Sequence, residues 1–140
     1  MTHYLDSSVL VAALVEDEPS HEACLRLLRK KNGATWLHAL AETFATLTGG
    51  RLGVRTSPAT AARLIGSLTP RLRLIELNAG DILSAMGDAE SVGARGGALY
   101  DYLHLIAAQK VSATEVYTLN GRHFTALARN GDPRIEFPEL

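Results

Sequence analysis

A three-layer α/β/α fold around a short-stranded, mainly parallel sheet is predicted by three observations. Short apolar runs alternate with segments of helical periodicity along the whole chain. Cap and turn residues such as Ser57-Pro58, Asn32-Gly33 and Asn120-Gly121 fall between them. And at 140 residues, with 46% hydrophobic and 21% charged residues, the chain can bury one real core. We read 1–140 as a single domain, with no linker, repeat or low-complexity segment dividing it.

Tyr4-Leu5 forms the first strand. Ser7 or Ser8 can cap a helix running to about Val15, where Glu16-Asp17-Glu18-Pro19 breaks it. Ser20 opens a second helix, with Ala23, Cys24, Leu27 and Leu28 on one side and basic residues at its end, as the helix dipole favours. Ala34 to Leu37 is a second strand, and His38 to about Thr48 a helix ended by Gly49-Gly50. Arg51 to Thr56 is a basic, polar link. Ser57-Pro58 starts the next helix, with Pro at its first position. These two helices predict a hairpin projecting from the sheet. Leu72 to Leu77 is a third strand, followed by a helix beginning at Asn78 or Asp81. After the loop 92–97 comes a helix from Leu99 to Lys110, then a strand from Glu115 to Leu119, a short helix through Phe124 and Leu127, and a last edge strand around Arg134 to Phe137. Such alternation implies parallel strands joined by right-handed crossovers.

Formal net charge is −1, so bulk basicity does not announce a nucleic-acid partner, although a local patch could serve. The basic residues are eleven Arg and three Lys. Arginine suits phosphate recognition, and Arg51 and Arg55 of the link are candidates to hold a phosphate backbone. Cys24 is the single cysteine, which excludes an internal disulfide and a cysteine-based metal site and fits a reducing compartment. No stretch approaches a membrane span and the N-terminus makes a poor signal peptide, so a cytoplasmic protein is expected.

Three carboxylates stand out. Asp6 ends the first strand, where open α/β sheets place their chemistry. Helix capping is an alternative role for it, but Ser7 and Ser8 can cap equally well. Glu42 is the only formal charge in 37–47; with His38 and Thr46 as polar neighbours at helical spacing, a solvated face is an equal alternative. Asp101 lies at a helix start with His104 one turn on and Leu105 and Ala108 on the same side. Partial burial there would be costly without a cation or partner. Asn120 ends the fourth strand as Asp6 ends the first, and is also an ordinary turn residue before Gly121. His104 and His123 are isolated and receive no catalytic role. Carboxylates without a Cys/His cluster favour a hard cation, Mg²⁺ or Mn²⁺, over zinc. In nucleases such ions activate water and stabilise an in-line displacement.

Taken together, these segments resemble the PIN-domain family, and more closely the VapC-type toxin ribonucleases of bacterial toxin–antitoxin pairs. Tyr4-Leu5-Asp6-Ser7-Ser8 resembles the opening motif, with its hydroxyl two residues after the Asp. Ala41-Glu42-Thr43 resembles the second. Gly96-Gly97-Ala98-Leu99-Tyr100-Asp101, leading into Ile106-Ala107-Ala108, is the most specific match. Thr118-Leu119-Asn120-Gly121-Arg122-His123-Phe124 resembles the closing motif. The resemblance covers essentially the whole chain. It implies a PIN-like fold and a Mg²⁺- or Mn²⁺-dependent endoribonuclease acting on RNA, with tRNA or rRNA as candidate substrates. It implies Asp6, Glu42 and Asp101 as the metal-binding acids, a homodimer, and a VapB-type antitoxin that covers the site. The chain departs from the family at the fourth acidic position, where Asn120 stands, with His123 three residues later; we keep Asn120 as a secondary site residue. Two other readings compete: a PIN-like module that binds RNA or protein without cutting, and a phosphoryl-transfer or receiver-type α/β domain using Asp6 as nucleophile or phosphate acceptor. The second lacks an evident lysine partner near a strand end.

Overall fold

The computed structural model describes residues 1–50 and 55–140, so the Arg51 end of the basic link lies outside the described residues. Five strands form one sheet: β1 (His3–Leu5), β2 (Gly33–Trp36), β3 (Leu72–Ile75), β4 (Glu115–Tyr117) and β5 (Arg134–Glu136). Their order is β3-β2-β1-β4-β5, and every pairing is parallel. The chain therefore builds outward from β1 to one side, then returns to β1 and builds outward on the other. The switch point lies between β1 and β4, and at a switch point the connections leave the two carboxyl ends in opposite directions and open a crevice.

Seven helices join the described strands: α1 (Ser7–Leu14), α2 (His21–Arg29), α3 (Leu37–Thr48), α4 (Pro58–Leu68), α5 (Ala79–Val92), α6 (Ala98–Lys110) and α7 (Gly121–Leu127). A 3₁₀ turn at Thr69–Arg71 leads from α4 into β3. None of the described helices is long and apolar enough to cross a membrane.

The strands are shorter than their apolar runs suggest, because apolar residues continue past the last paired position. Leu37 is the first residue of α3, not the last of β2. Leu77 and Leu119 pack against the core from the loops that follow β3 and β4. Central strands buried on both faces read as continuous apolar runs, with little to mark where pairing stops.

The main core gathers Tyr4, Leu5, Val9, Leu10, Trp36, Leu103, Leu105, Val116 and Phe124 around the sheet. Val11 of α1, Leu47 of α3 and Ala61 and Ile65 of α4 form a second, smaller cluster. The helical hairpin is thus packed against α1. Ser57 caps α4 by accepting from the Thr60 N–H, as its sequence position predicts.

One local expectation is corrected. Asp6, rather than Ser7 or Ser8, caps α1: its Oδ1 accepts from the Val9 N–H at 3.1 Å. The helix starts at Ser7, so only the preceding residue has the extended backbone that lets its side chain turn back on the first turn.

Candidate active site

The crevice at the switch point is a cavity of about 560 Å³. Asp6, Glu42, Asp101 and Asn120 all line it, together with Ser7, Ser8 and Thr46. The fold thus brings Asp6, Glu42, Asp101 and Asn120 to one cavity, while Arg55 does not line it. Asp6 arrives from the end of β1, Glu42 from the second turn of α3, Asp101 from the first turn of α6, and Asn120 from the loop after β4.

Asp6 is 3% exposed and held on both oxygens. Oδ1 accepts from Ser8 Oγ at 2.6 Å as well as from the Val9 N–H. Oδ2 accepts from Thr118 Oγ1 at 2.6 Å. These donors are themselves fixed: the Leu119 N–H donates to Ser8 Oγ at 3.0 Å, and the Asn120 N–H to Thr118 Oγ1 at 2.9 Å. The carboxylate is therefore clamped between the ends of β1 and β4. Burial raises its pKa, opposed by the nearby His104 and by the hydrogen bonds from Ser8, Thr118 and Val9.

Asp101 is half-buried, and burial likewise raises its pKa. The charges of Asp6 and Glu42 push in the same direction, while His104 and His123 oppose them. The three acids thus lie close enough to repel one another. His123 Nδ1 stands 3.8 Å from Asp101 Oδ2 on a largely exposed ring.

Glu42 is not simply solvated. Its Oε1 accepts from Nε2 of His104 at 3.0 Å. His104 is 1% exposed, and its Nδ1 lies 2.7 Å from the Tyr4 hydroxyl. Tyr4 is fully buried, which holds its phenol well above the usual pKa and keeps it protonated. Sequence reasoning set His104 aside because its partners are 62 and 100 residues away along the chain. It also overlooked Thr118 as a side chain that holds Asp6. Ser8 was visible as the hydroxyl two residues after the acid.

Among the described residues, no three His, Cys, Asp or Glu side chains converge closely enough to hold an ion by themselves. The donor set nevertheless fits a small hard cation. Mg²⁺ keeps several waters and takes only one or two carboxylates from the protein, and the cavity offers charged oxygens whose mutual repulsion a cation would relieve.

The PIN domain family model matches residues 3–130, from β1 through α7. No curated protein sequence matches the chain significantly. Solved structures share its fold at low identity. VapC20 from Mycobacterium tuberculosis, a sarcin-ricin loop cleaving toxin, superposes with a TM-score of 0.73 at 18% identity, over 94% of this chain and 100% of its own. VapBC2 from Rickettsia felis, solved with a DNA fragment from its promoter, gives 0.67 at 18% identity, over 99% and 100%. VapBC-1 from nontypeable Haemophilus influenzae gives 0.66 at 17% identity, over 98% of each chain. With a family match over residues 3–130, most of its length, the chain belongs to the PIN-domain family.

Proposed function

We propose that this protein is a metal-dependent endoribonuclease of the VapC toxin type, acting in the cytoplasm and held in check by a VapB-type antitoxin. The observation that supports this most is the gathering of Asp6, Glu42 and Asp101 in one cavity from three distant parts of the chain. Family membership and the VapC and VapBC structures of like fold point the same way.

In this reading Asp6, Asp101 and Glu42 would hold a Mg²⁺ or Mn²⁺ ion together with the waters it keeps. When bound, such an ion supplies an activated water and stabilises charge developing on the phosphate. The chain's own groups do the rest. Ser8 and Thr118 keep the Asp6 carboxylate in one orientation, so no reorganisation is needed as charge develops. Asn120 presents a neutral amide at the cavity wall, suited to orienting water or a phosphate oxygen. Arg55, exposed in the link between α3 and α4, is a candidate to meet the RNA backbone, where a guanidinium pairs well with phosphate. The substrate is an exposed loop in a structured RNA such as tRNA or rRNA, because unstacked bases can be read there and duplex bases cannot. A homodimer, and one PIN domain spanning 1–140, complete the reading.

Cleavage of total cellular RNA by purified protein tests it. Discrete fragments should form with Mn²⁺ or Mg²⁺, vanish with chelator, and fall at least about 100-fold in Asp6→Asn, since loss of a group acting on the transition state costs on this order. Undiminished cleavage by the variant would remove Asp6 from the mechanism.

A second reading, a PIN-like module that binds RNA or protein without cutting, is favoured by the neutral Asn120 and by the lack of a preformed three-ligand cluster among the described residues. Folded, antitoxin-free protein that cuts nothing under any condition would select it.

A further inference from the structure

We infer that His104 is the positioning residue for Glu42, and that Tyr4 holds it to that task. For its catalytic consequence the inference rests on the metal-nuclease reading; the relay itself stands on geometry alone.

Two other histidines make useful comparisons. His3 Nε2 bonds the Leu27 carbonyl and His21 Nδ1 the Ala12 carbonyl, so both rings tie backbone to backbone. His104 differs on both sides. Its Nε2 meets a carboxylate of the cavity, and its Nδ1 meets a buried phenol. Edge and tilted contacts from Tyr4, Trp36 and Phe124, with ring centroids 5.7 to 6.3 Å away, hold the ring in place. It has little freedom to flip or withdraw.

The chemistry of the partners fixes the direction of the chain. An ionised carboxylate only accepts, so Nε2 must carry a proton. In the neutral form of the ring Nδ1 is then bare, and it accepts from the Tyr4 hydroxyl. For the neutral ring the chain Tyr4–His104–Glu42 runs in one sense: Tyr4 O–H to Nδ1, Nε2–H to Oε1. Oε1 is tied to the interior, and Oε2 is left for the cavity that Glu42 lines. A partly exposed glutamate on a helix would otherwise sample several rotamers; here one is selected by a group outside the cavity. Outer partners of this kind orient ligands and tune their basicity.

Two measurements test this. Long-range ¹H–¹⁵N spectra of the wild-type ring should show the Nε2-protonated tautomer. The Nδ1 signal should move in Tyr4→Phe and the Nε2 signal in Glu42→Gln. A neutral ring protonated on Nδ1 overturns the inference. Mn²⁺ titration calorimetry is the second. His104→Leu should weaken Mn²⁺ binding about 10–100-fold, the usual cost of losing an outer-shell partner. His104→Gln, whose amide can still donate to Glu42, should recover most of it. In a Glu42→Gln background, His104→Leu should cost nothing further. An undiminished cost in that background overturns the inference, because His104 would then act through the core and not through Glu42. If the wild type neither binds Mn²⁺ nor cleaves RNA, the nuclease reading falls, and the ring spectra alone decide the relay.

Discussion

Asp6 shows what a single buried carboxylate does to a fold. Its side chain caps α1 and is clamped by Ser8 and Thr118, yet burial keeps its pKa above the ordinary aspartate value. Folding therefore disfavours its charged form. The sign follows from linkage. Stability from the protonated group is fully present below the pKa of the unfolded chain, and is lost as pH rises through the higher folded value. At neutral pH the ionised carboxylate is a standing cost. Asp6→Asn keeps a cap acceptor, and its amide can donate to Thr118 where the carboxylate accepted. We expect the variant to melt a few degrees above wild type at pH 7, a shift typical of small stability gains in a chain of this size. The gap should close as pH falls toward the ordinary aspartate range. Calorimetric melts of metal-free protein across that range check it, and a variant less stable at every pH would show that the clamp outweighs desolvation. Asp101 has the same sign for the same leading reason. Active sites commonly hold such a cost in reserve for a ligand to relieve.

The helices bring the acids to the cavity, so their ends and pairings matter more than their propensities. Glu42 and His104 meet only because α3 follows directly from β2 and α6 packs against β2 and β4. α5 and α6 are fastened nearby. Asn78 and Asp81 form a reciprocal capping box at 2.8 and 2.9 Å. Lys110 then bridges from the end of α6 to Asp81 at 2.7 Å and to the Glu76 carbonyl at 2.9 Å. Asn78→Ala should cost about 1 kcal/mol, the typical worth of a side-chain cap. Urea unfolding would read this as a lower midpoint at an unchanged slope. An unchanged midpoint would mean that Lys110 alone secures Asp81. This device was half legible in the chain: Asn78 and Asp81 both appeared as helix starts, but their reciprocity with Lys110, 29 residues on, did not. The Ser57-Pro58 start was fully legible, because both signals are local.

For the whole molecule, the sheet order decides the site. Two wings grow from β1, and the crevice opens where they part. A cation held there by Asp6, Glu42 and Asp101 would bind only the folded chain, because these residues come together only in the fold. Mn²⁺ should therefore raise the melting temperature, by the equivalent of about 2.7 kcal/mol at 100 times its dissociation constant. Asp101→Asn should lose most of that shift. A variant that gains as much as wild type would show that Asp101 is not a ligand.

The alternation of short apolar runs with helical segments determined the α/β class, because burial and periodicity are written residue by residue. The strand-end carboxylate Asp6 and the ordered acidic motifs were visible for the same reason. What only the tertiary structure decided was which groups meet. Thr118 closes on Asp6 across 112 residues, and His104 reaches Tyr4 across 100. Neither pairing leaves a local trace, since a hydroxyl or an imidazole looks the same in sequence whether it faces water or a carboxylate. Its partner is set by how the strands are ordered in space, and that order is a property of the packed core.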